Sequence, residues 1–513
     1  MNQSSRTVQN LGIVYVASLV QLVVQFLIQA FIASQFGALE QKQAFASVLA
    51  LPTFVAAVVT GSIGYVLIPE LQAKFSRQQD REGWQLASYI GLLTVVLSCI
   101  GWFLLYALAR PICQSLFREE QLQLCSLLLR MLSVQVLFNG LISWLQALHH
   151  GRQRFLAPAL GGVMGTLTTL AWAFVNVQAA EGRDSGNIMA IATAINLGSL
   201  VSVIVHLSPV IRNLCWPSVD RGRLAALFAL YWPLMLGAAF LRVEPVVDRV
   251  LAEHVAGGSL EEISKRAVAH LHDAQRILVA LVSIGTSGLS LIAFPQLAER
   301  LATQGKSGFA EHFALACRRL TVLVIPVSLG VGVFATWIVR DLLQRGAFTL
   351  DDSRVVGNLI LASMGMFVGA SYGELLARGH YVLGDTRSPT IIGVLSLTVA
   401  MIGMVITIEP WGVYGIGLGV SAYFLISAAI MAIVLGRQLG AGVYQGMVTT
   451  SAKSVVAALA ACAVCYGVYS WGWGKTWIAA PTGAVSYFGV LLLLQESAAV
   501  QILKIVFSRL RLA

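Results

Sequence analysis

Long apolar runs recur from one end of this 513-residue chain to the other, and they constrain its fold more than any other feature. Each is long enough to cross the roughly 30 Å hydrocarbon core of a bilayer as an α-helix. With 57% hydrophobic and 11% charged residues, the chain is not an ordinary soluble globule. About fourteen runs can be counted, at 11–35, 43–69, 84–109, 121–148, 155–178, 187–211, 224–252, 266–297, 312–338, 355–377, 388–408, 412–436, 449–472 and 476–496. The sequence predicts an all-α polytopic membrane protein.

Basic residues are distributed unevenly among the predicted loops. If the N-terminus is cytoplasmic, about 20 of the 34 Lys and Arg fall in cytoplasmic loops and tails, as the positive-inside rule requires. An even number of helices then returns the C-terminus to the cytoplasm. The net charge of +10 is therefore explained by topology, and no nucleic-acid partner is expected.

The chain repeats itself at long range. The segment from Leu145 to Pro158 (LQALHHGRQRFLAP) matches the segment from Leu376 to Pro389 (LARGHYVLGDTRSP). Both fall at the same point of a six-helix unit. The repeat predicts two six-helix lobes that run the same way through the membrane and are related by an axis along its normal, with a site between them.

The repeat also predicts the domain boundaries. The first lobe is predicted at 1–211 and the second at 212–437, which includes a basic linker at 212–223. Two additional helices and a basic tail occupy 438–513.

Charged residues inside the predicted seventh and eighth helices are the main functional candidates. A charge at the bilayer centre costs roughly 2.5 to 3.5 kcal/mol on insertion scales unless it faces water or a partner. Such residues usually mark a polar pathway, which favours a transporter. They are Arg242, Glu244, Asp248, Arg249, Asp273 and Arg276.

Arg276 is the strongest candidate for substrate binding, because a guanidinium is permanently charged and can bind phosphate through two parallel hydrogen bonds. Arg242 and Arg249 share one face of helix seven and are predicted to assist it. Glu244, Asp248 and Asp273 are predicted gating or ion-pair residues. The alternatives are that Asp273 and Arg276, three residues apart, form an ion pair that only closes the outer end, and that Asp248 and Arg249 reach toward the interface.

Amide and carboxylate side chains in other helices are further candidates. Gln21, Gln25 and Gln29 are four residues apart on helix one and could bind sugar hydroxyls. Alternatively, they pack against neighbouring helices. Glu374 is either a gate or the partner of Arg378, and the pairing is preferred.

Enzymatic and metal-binding signals are weak. The chain has no HExxH, no GxSxG with partners and no Walker loop, so no enzyme, cofactor or metal site is predicted. His149 and His150, beside Arg152 and Arg154, instead predict a basic contact with lipid headgroups.

Several segments resemble the bacterial lipid II flippase family (MurJ, also called MviN) of the multidrug/oligosaccharidyl-lipid/polysaccharide exporter superfamily. Arg345 to Thr349 (RGAFT) is similar to its RG-x-FT segment, and Leu376 to Pro389 is similar to its loop after helix ten. Ala274-Gln275-Arg276-Ile277 stands where the family has Ala-Asp-Arg-Leu, whose arginine lines the cavity. The resemblance spans nearly the whole chain and implies fourteen helices in a V-shaped arrangement.

The chain departs from the family at most of the polar positions that contact the lipid diphosphate. Apolar or amide residues replace two helix-one arginines, a helix-two aspartate and arginine, and an acidic residue after Arg276; they are Leu22, Ile28, Gln43, Ala56 or Ala57, and Val279. These departures bear on lipid II more than on lipid-linked sugars in general.

The resemblance implies a flippase that moves a polyprenyl-diphosphate-linked saccharide, lipid II or a similar cell-wall precursor, across the bacterial inner membrane by alternating access. Its partners would be that substrate, membrane lipids and cell-envelope glycosyltransferases. Three alternatives stay open: an exopolysaccharide or antigen repeat-unit flippase, a cation-coupled drug antiporter, and a non-transporting partner of an envelope-synthesis complex.

Overall fold

Helices account for the regular structure in the part of the chain that the structure describes. The computed structural model describes residues 3–36, 40–60, 63–116, 121–152, 154–179, 186–215, 243–255, 266–385, 387–470 and 476–501. No strand occurs within these ranges. The predicted all-α class is confirmed for them.

Residue contacts divide the chain into two compact units, Met1–Ala269 and His270–Ala513. The lobe boundaries drawn from the repeat stay a prediction. The first unit contains ten described α-helices, which are α1 (Gln3–Phe36), α2 (Glu40–Thr60), α3 (Ile63–Ser76), α4 (Asp80–Ala107), α5 (Ala109–Leu116), α6 (Leu122–Leu132), α7 (Gln135–Gly151), α8 (Leu156–Ala179), α9 (Gly186–Leu207) and α10 (Glu244–Val255).

The next helix begins at the end of the first unit and continues into the second. The remaining described α-helices are α11 (Ala267–Leu343), α12 (Leu350–Ala362), α13 (Met364–Val382), α14 (Arg387–Trp411), α15 (Val413–Leu439), α16 (Met447–Ser470) and α17 (Thr476–Leu493). Within the described residues, ten helical segments are long and apolar enough to cross a membrane. Val20–Phe36 and Ile478–Leu493 are shorter apolar helices. Most of the predicted span 224–252 lies outside the described residues.

The predicted loop between helices eight and nine is almost entirely helical. α11 runs through it, interrupted only at Gly305, where φ is 66° and ψ is −160°. A positive φ strains residues that carry a Cβ, so glycine suits this position. The two predicted spans 266–297 and 312–338 are therefore helices that meet at one backbone kink.

Close helix contacts in the first unit depend on small residues. The Trp144 indole N–H in α7 donates to the Ala87 carbonyl in α4 at 2.9 Å. A methyl group on Gly91 would lie 2.3 Å from the Trp144 ring, so glycine is what allows this approach. The contact positions α7, which also forms one wall of a polar cavity.

Glycine also allows a close contact between two helices in the second unit. A methyl group on Gly369 of α13 would lie 2.4 Å from the backbone of Phe424 in α15. Nearby, the Ser421 hydroxyl donates to the Ala362 carbonyl at 2.6 Å and accepts from the Gly365 N–H at 3.0 Å. In an apolar environment these bonds satisfy backbone groups at the junction between α12 and α13.

Candidate functional site

Arg276 is exposed on α11, just after a buried turn of this helix. It lies roughly 14 Å from the start of α11, at about 1.5 Å per residue. Ala274, Ile277 and Leu278 are buried around it, and Asp273 is fully buried one turn earlier. The Arg276 side chain is therefore accessible on a part of α11 whose preceding turn is buried.

The helix that carries Arg276 is fixed near its start by a buried pair. The His270 Nε2–H donates to Oδ1 of Asp352 at 2.8 Å, and both side chains are almost inaccessible. Oδ2 of Asp352 also accepts from the Thr349 N–H and hydroxyl, each at 2.8 Å. Asp352 therefore caps α12 and holds it against α11 at the same time.

The helix-seven candidates are only partly within the described residues. Asp248 is fully buried in α10, and Val246 on the same helix packs against the core that Phe45 and Leu128 help to form. Glu244 and Arg249 belong to α10, but their side chains lie outside the described residues, as does the whole of Arg242. Substrate-binding and gating roles for these four residues stay predictions.

The three helix-one glutamines lie in different environments. A methyl group on Gly162 of α8 would lie 2.5 Å from Oε1 of Gln21, so Gln21 packs against α8. Gln25 is exposed, whereas Gln29 is only 8% exposed. Gln21 therefore fits the alternative in which the glutamines pack against neighbouring helices. Sugar binding by the three glutamines stays a prediction.

Glu374 lies one helical turn from Arg378 in α13, and the two form an ion pair. Nη2 of Arg378 lies 2.5 Å from Oε1 of Glu374, and both side chains are partly accessible. This is the geometry that the preferred alternative predicts. A gating role for Glu374 stays a prediction.

The predicted headgroup contact at the end of α7 is wrong for His149. Its side chain is buried, and its Nε2–H donates to the His206 carbonyl at 2.8 Å. The Arg152 guanidinium lies over the Trp84 ring, with Cζ 4.7 Å from the centroid. The His150 and Phe155 rings lie 5.3 Å apart between centroids and are tilted by 33°. The sequence could not show that α7 turns His149 inward.

A polar cavity of about 450 Å³ lies in the first unit, between α2, α3 and α7. Sequence reasoning missed it, although its wall residues recur at helical spacing. Its described lining consists of Thr53, Ala56, Ala57, Thr60, Ile68, Asn139, Ser143, Gln146, Ala147 and His150. Ala56 and Ala57, the two candidate positions for the helix-two arginine that the resemblance implies, both line the cavity.

An apolar cavity of about 420 Å³ lies in the second unit, between α11, α16 and α17. Trp337 and Tyr469 line it and stack at 4.2 Å between ring centroids. Arg340, one turn after Trp337, forms a hydrogen bond to the Tyr469 hydroxyl. An apolar cleft with aromatic and basic groups at one end suits a lipid chain.

Comparison with known proteins assigns the chain to a family. The sequence profile described as lipid II flippase MurJ matches residues 32–480. The chain belongs to this family. A probable lipid II flippase MurJ of Vibrio cholerae serotype O1 is 23% identical over 415 residues, which cover 77% of this chain and 74% of the relative.

Solved structures agree on the fold. The lipid II flippase MurJ in an inward closed conformation superposes with a TM-score of 0.75 at 16% identity, covering 94% of this chain and 98% of that one. An inward-facing multidrug resistance MATE transporter of the MOP superfamily gives 0.70 at 12% identity, covering 82% and 95%. Membership in the MurJ family confirms a multi-pass membrane transport protein that is not an enzyme.

Proposed function

We propose that this protein moves a polyprenyl-diphosphate-linked saccharide from the cytoplasmic to the outer leaflet of the bacterial inner membrane. The observation that carries the proposal is the exposed Arg276 on α11, in the segment Ala274-Gln275-Arg276-Ile277 that resembles the family's cavity-lining motif. Both termini are proposed to be cytoplasmic, from the distribution of Lys and Arg.

Arg276 is proposed to bind the diphosphate. Its guanidinium can donate two parallel hydrogen bonds to phosphate oxygens, and its charge offsets the cost of bringing the anion into the membrane. The His270–Asp352 pair supports this role, because it fixes the start of the helix that presents Arg276. Arg242 and Arg249 are proposed as further cations for the same group.

The apolar cavity between α11, α16 and α17 is proposed to accommodate part of the polyprenyl tail. None of its described lining residues is charged, so an isoprenoid chain could enter it without leaving a charge unsatisfied. α16 and α17, which lie outside the internal repeat, are thereby proposed to take part in substrate binding.

Transport is proposed to follow alternating access without ATP. A charge that crosses the membrane couples to the potential by roughly 2.3 kcal/mol per 100 mV, which is enough to bias such a cycle. Cell-envelope glycosyltransferases are proposed as partners, because enzymes of this class make or use lipid-linked sugars.

Lipid II is the first substrate to test, because the family is described by it. A second candidate is an exopolysaccharide or antigen repeat unit, which is favoured by alanine at both candidate positions for the helix-two arginine. A drug antiporter is less well supported, because no carboxylate belongs to the described lining of the polar cavity.

The test is transport by the purified full-length protein in proteoliposomes that contain fluorescent lipid II in both leaflets. A membrane-impermeant reductant added outside quenches the accessible dye, and an imposed membrane potential provides the driving force. We expect quenching beyond that of protein-free liposomes. If lipid II gave no quenching beyond that of protein-free liposomes but a repeat-unit lipid did, the second candidate would be selected. No transport of either substrate would leave the non-transporting alternative.

A further inference from the structure

The polar cavity of the first unit is lined by hydroxyl, amide and imidazole groups whose hydrogen-bonding capacity the described part of the fold uses only in part. The lining residues on α2 fall at 53, 56, 57 and 60, and those on α7 at 139, 143, 146, 147 and 150. Both sets follow helical periodicity, so each is a continuous face. The cavity therefore lies between one continuous face of α2 and one of α7, and the side chains on these two faces determine which ligands it can bind.

Six of the ten described lining residues are polar, which makes the cavity unsuited to an apolar chain. An isoprenoid in this space would remove water from hydroxyl and amide groups without replacing its hydrogen bonds. The described lining also contains no Lys or Arg. A diphosphate would therefore find no permanently charged partner among the described lining residues.

The polar groups of the lining present both donors and acceptors. The Thr60 hydroxyl donates to the Ala56 carbonyl at 2.7 Å and its oxygen lies 3.5 Å from the Ser143 oxygen, so both hydroxyl oxygens can still accept from a ligand. The Asn139 amide N–H donates to Gln135 at 3.4 Å, and its own oxygen stays available. Within the described part of the chain, the side chains of Gln146 and His150 form no hydrogen bond.

A saccharide matches this mixture. Each sugar hydroxyl can donate and accept, and an N-acetyl group adds one donor and one acceptor, whereas phosphate oxygens only accept. A volume of about 450 Å³ falls within the range of about 300 to 1,000 Å³ that is usual for small-molecule sites. Alanine at positions 56 and 57 leaves this space open, since an arginine there would extend into it.

We propose that the cavity between α2, α3 and α7 binds the uncharged saccharide of the lipid-linked substrate through hydroxyl and amide groups, with Gln146 as its central specificity residue. This inference rests on the proposed function and deepens it. It separates saccharide recognition, by neutral groups in the first unit, from diphosphate recognition by Arg276.

The experiment measures equilibrium binding of two probes to the full-length protein in nanodiscs: lipid II, and undecaprenyl diphosphate, which lacks the saccharide and the peptide attached to it. Gln146→Leu removes the amide at nearly constant volume. We expect it to weaken lipid II binding on the order of tenfold and to leave undecaprenyl diphosphate binding unchanged, because one hydrogen-bonding side chain is lost. Gln123→Leu, at an exposed position on α6, is the matched control and should change neither affinity.

Ser143→Ala serves as a second variant, because it removes one hydroxyl from the cavity and disturbs packing least. It should weaken lipid II binding on the order of threefold with no effect on undecaprenyl diphosphate. If Gln146→Leu fails to fold, as judged by gel filtration and thermal unfolding, Ser143→Ala decides the question.

The possible outcomes separate this inference from the proposed function. Equal loss of both probes, or loss of neither, would overturn the inference while wild-type transport still supports the proposed function. Equal wild-type affinity for both probes would also overturn it, since the saccharide would contribute nothing. Wild-type protein that binds neither probe would overturn the proposed function and the inference with it.

Discussion

His149 in the first unit and His380 in the second form the same hydrogen bond at equivalent positions of the internal repeat. The Nε2–H of His149 donates to the His206 carbonyl at 2.8 Å, and that of His380 donates to the Met431 carbonyl at 3.2 Å. Both imidazoles are buried. In each unit the bond ties the helix that carries the matched segment to the last helix of the predicted six-helix lobe.

We expect these two histidines to contribute to stability. His149→Leu and His380→Leu should each lower the free energy of unfolding by about 0.5 to 1.5 kcal/mol, because a buried interhelical hydrogen bond is lost. Glutamine at either position retains an N–H donor and should restore part of the loss. The measurement is the midpoint of thermal unfolding, with His312→Leu, which is only partly buried, as the control. Equal loss for leucine and glutamine would show that ring packing, not the bond, matters.

The sequence predicted the membrane-spanning helices well, and it predicted contacts within one helix. The Glu374–Arg378 pair follows from helical pitch alone. It did not predict the burial of His149 or the polar cavity. These depend on how each helix is rotated about its axis, and a helix that is apolar on all sides carries little information about that rotation. The His270–Asp352 pair was not predicted either, because its two residues are far apart in sequence and helical pitch says nothing about such contacts.

Asp385 should stabilise the start of α14 in a pH-dependent way. Its carboxylate accepts from the Ser388 N–H at 3.0 Å, and hydrogen bonds from Ser388 lower its pKa to about 2. Because the folded-state pKa lies below the usual value of about 3.9, the stabilisation is present above that value and is lost as the pH falls toward 2.

Asp385→Ala should therefore cost about 0.5 to 2 kcal/mol at pH 7, as for other helix caps. The difference from wild type should shrink as the pH is lowered from 4 to 2.5. Thermal unfolding across this range measures it, and Asp351→Ala, at an exposed side chain, is the control. A difference that does not depend on pH would show that the carboxylate charge has no part in capping.

Arg276→Ala should abolish transport while the protein stays folded and inserted. Arg276→Lys should restore it only in part, because an ammonium cannot form two parallel hydrogen bonds to phosphate. Arg354→Ala, at an exposed arginine that pairs with Asp351, should behave as wild type. The proteoliposome assay measures each variant. Normal transport by the alanine variant would place the diphosphate site elsewhere.

The predicted topology can be tested with single cysteines in a variant that lacks the seven native ones. Cysteines at Ser5 and at the exposed Ser307 should react only with reagents that cross the inner membrane. A cysteine at Gly257, which lies outside the described residues, should react with impermeant maleimide from the outer side. Labelling of position 307 from outside would invert the topology and the proposed direction of transport.

Placing a cation in the polar cavity should change its preference. Ala57 is half-buried and lines the cavity, so Ala57→Arg would introduce a guanidinium where the described lining carries no permanent charge. We expect undecaprenyl diphosphate to bind on the order of tenfold more tightly, with stronger salt dependence, because a charge-assisted bond to phosphate becomes possible. Lipid II should bind more weakly, since the new side chain occupies part of the saccharide space.

The control is Ala57→Leu, which fills the same space without adding a charge. It should weaken lipid II binding and leave undecaprenyl diphosphate binding unchanged. A contrary outcome would be weaker lipid II binding by Ala57→Arg with no gain in affinity for undecaprenyl diphosphate. The diphosphate would then not reach this cavity, and alanine at the helix-two arginine position would serve only to make room for a saccharide.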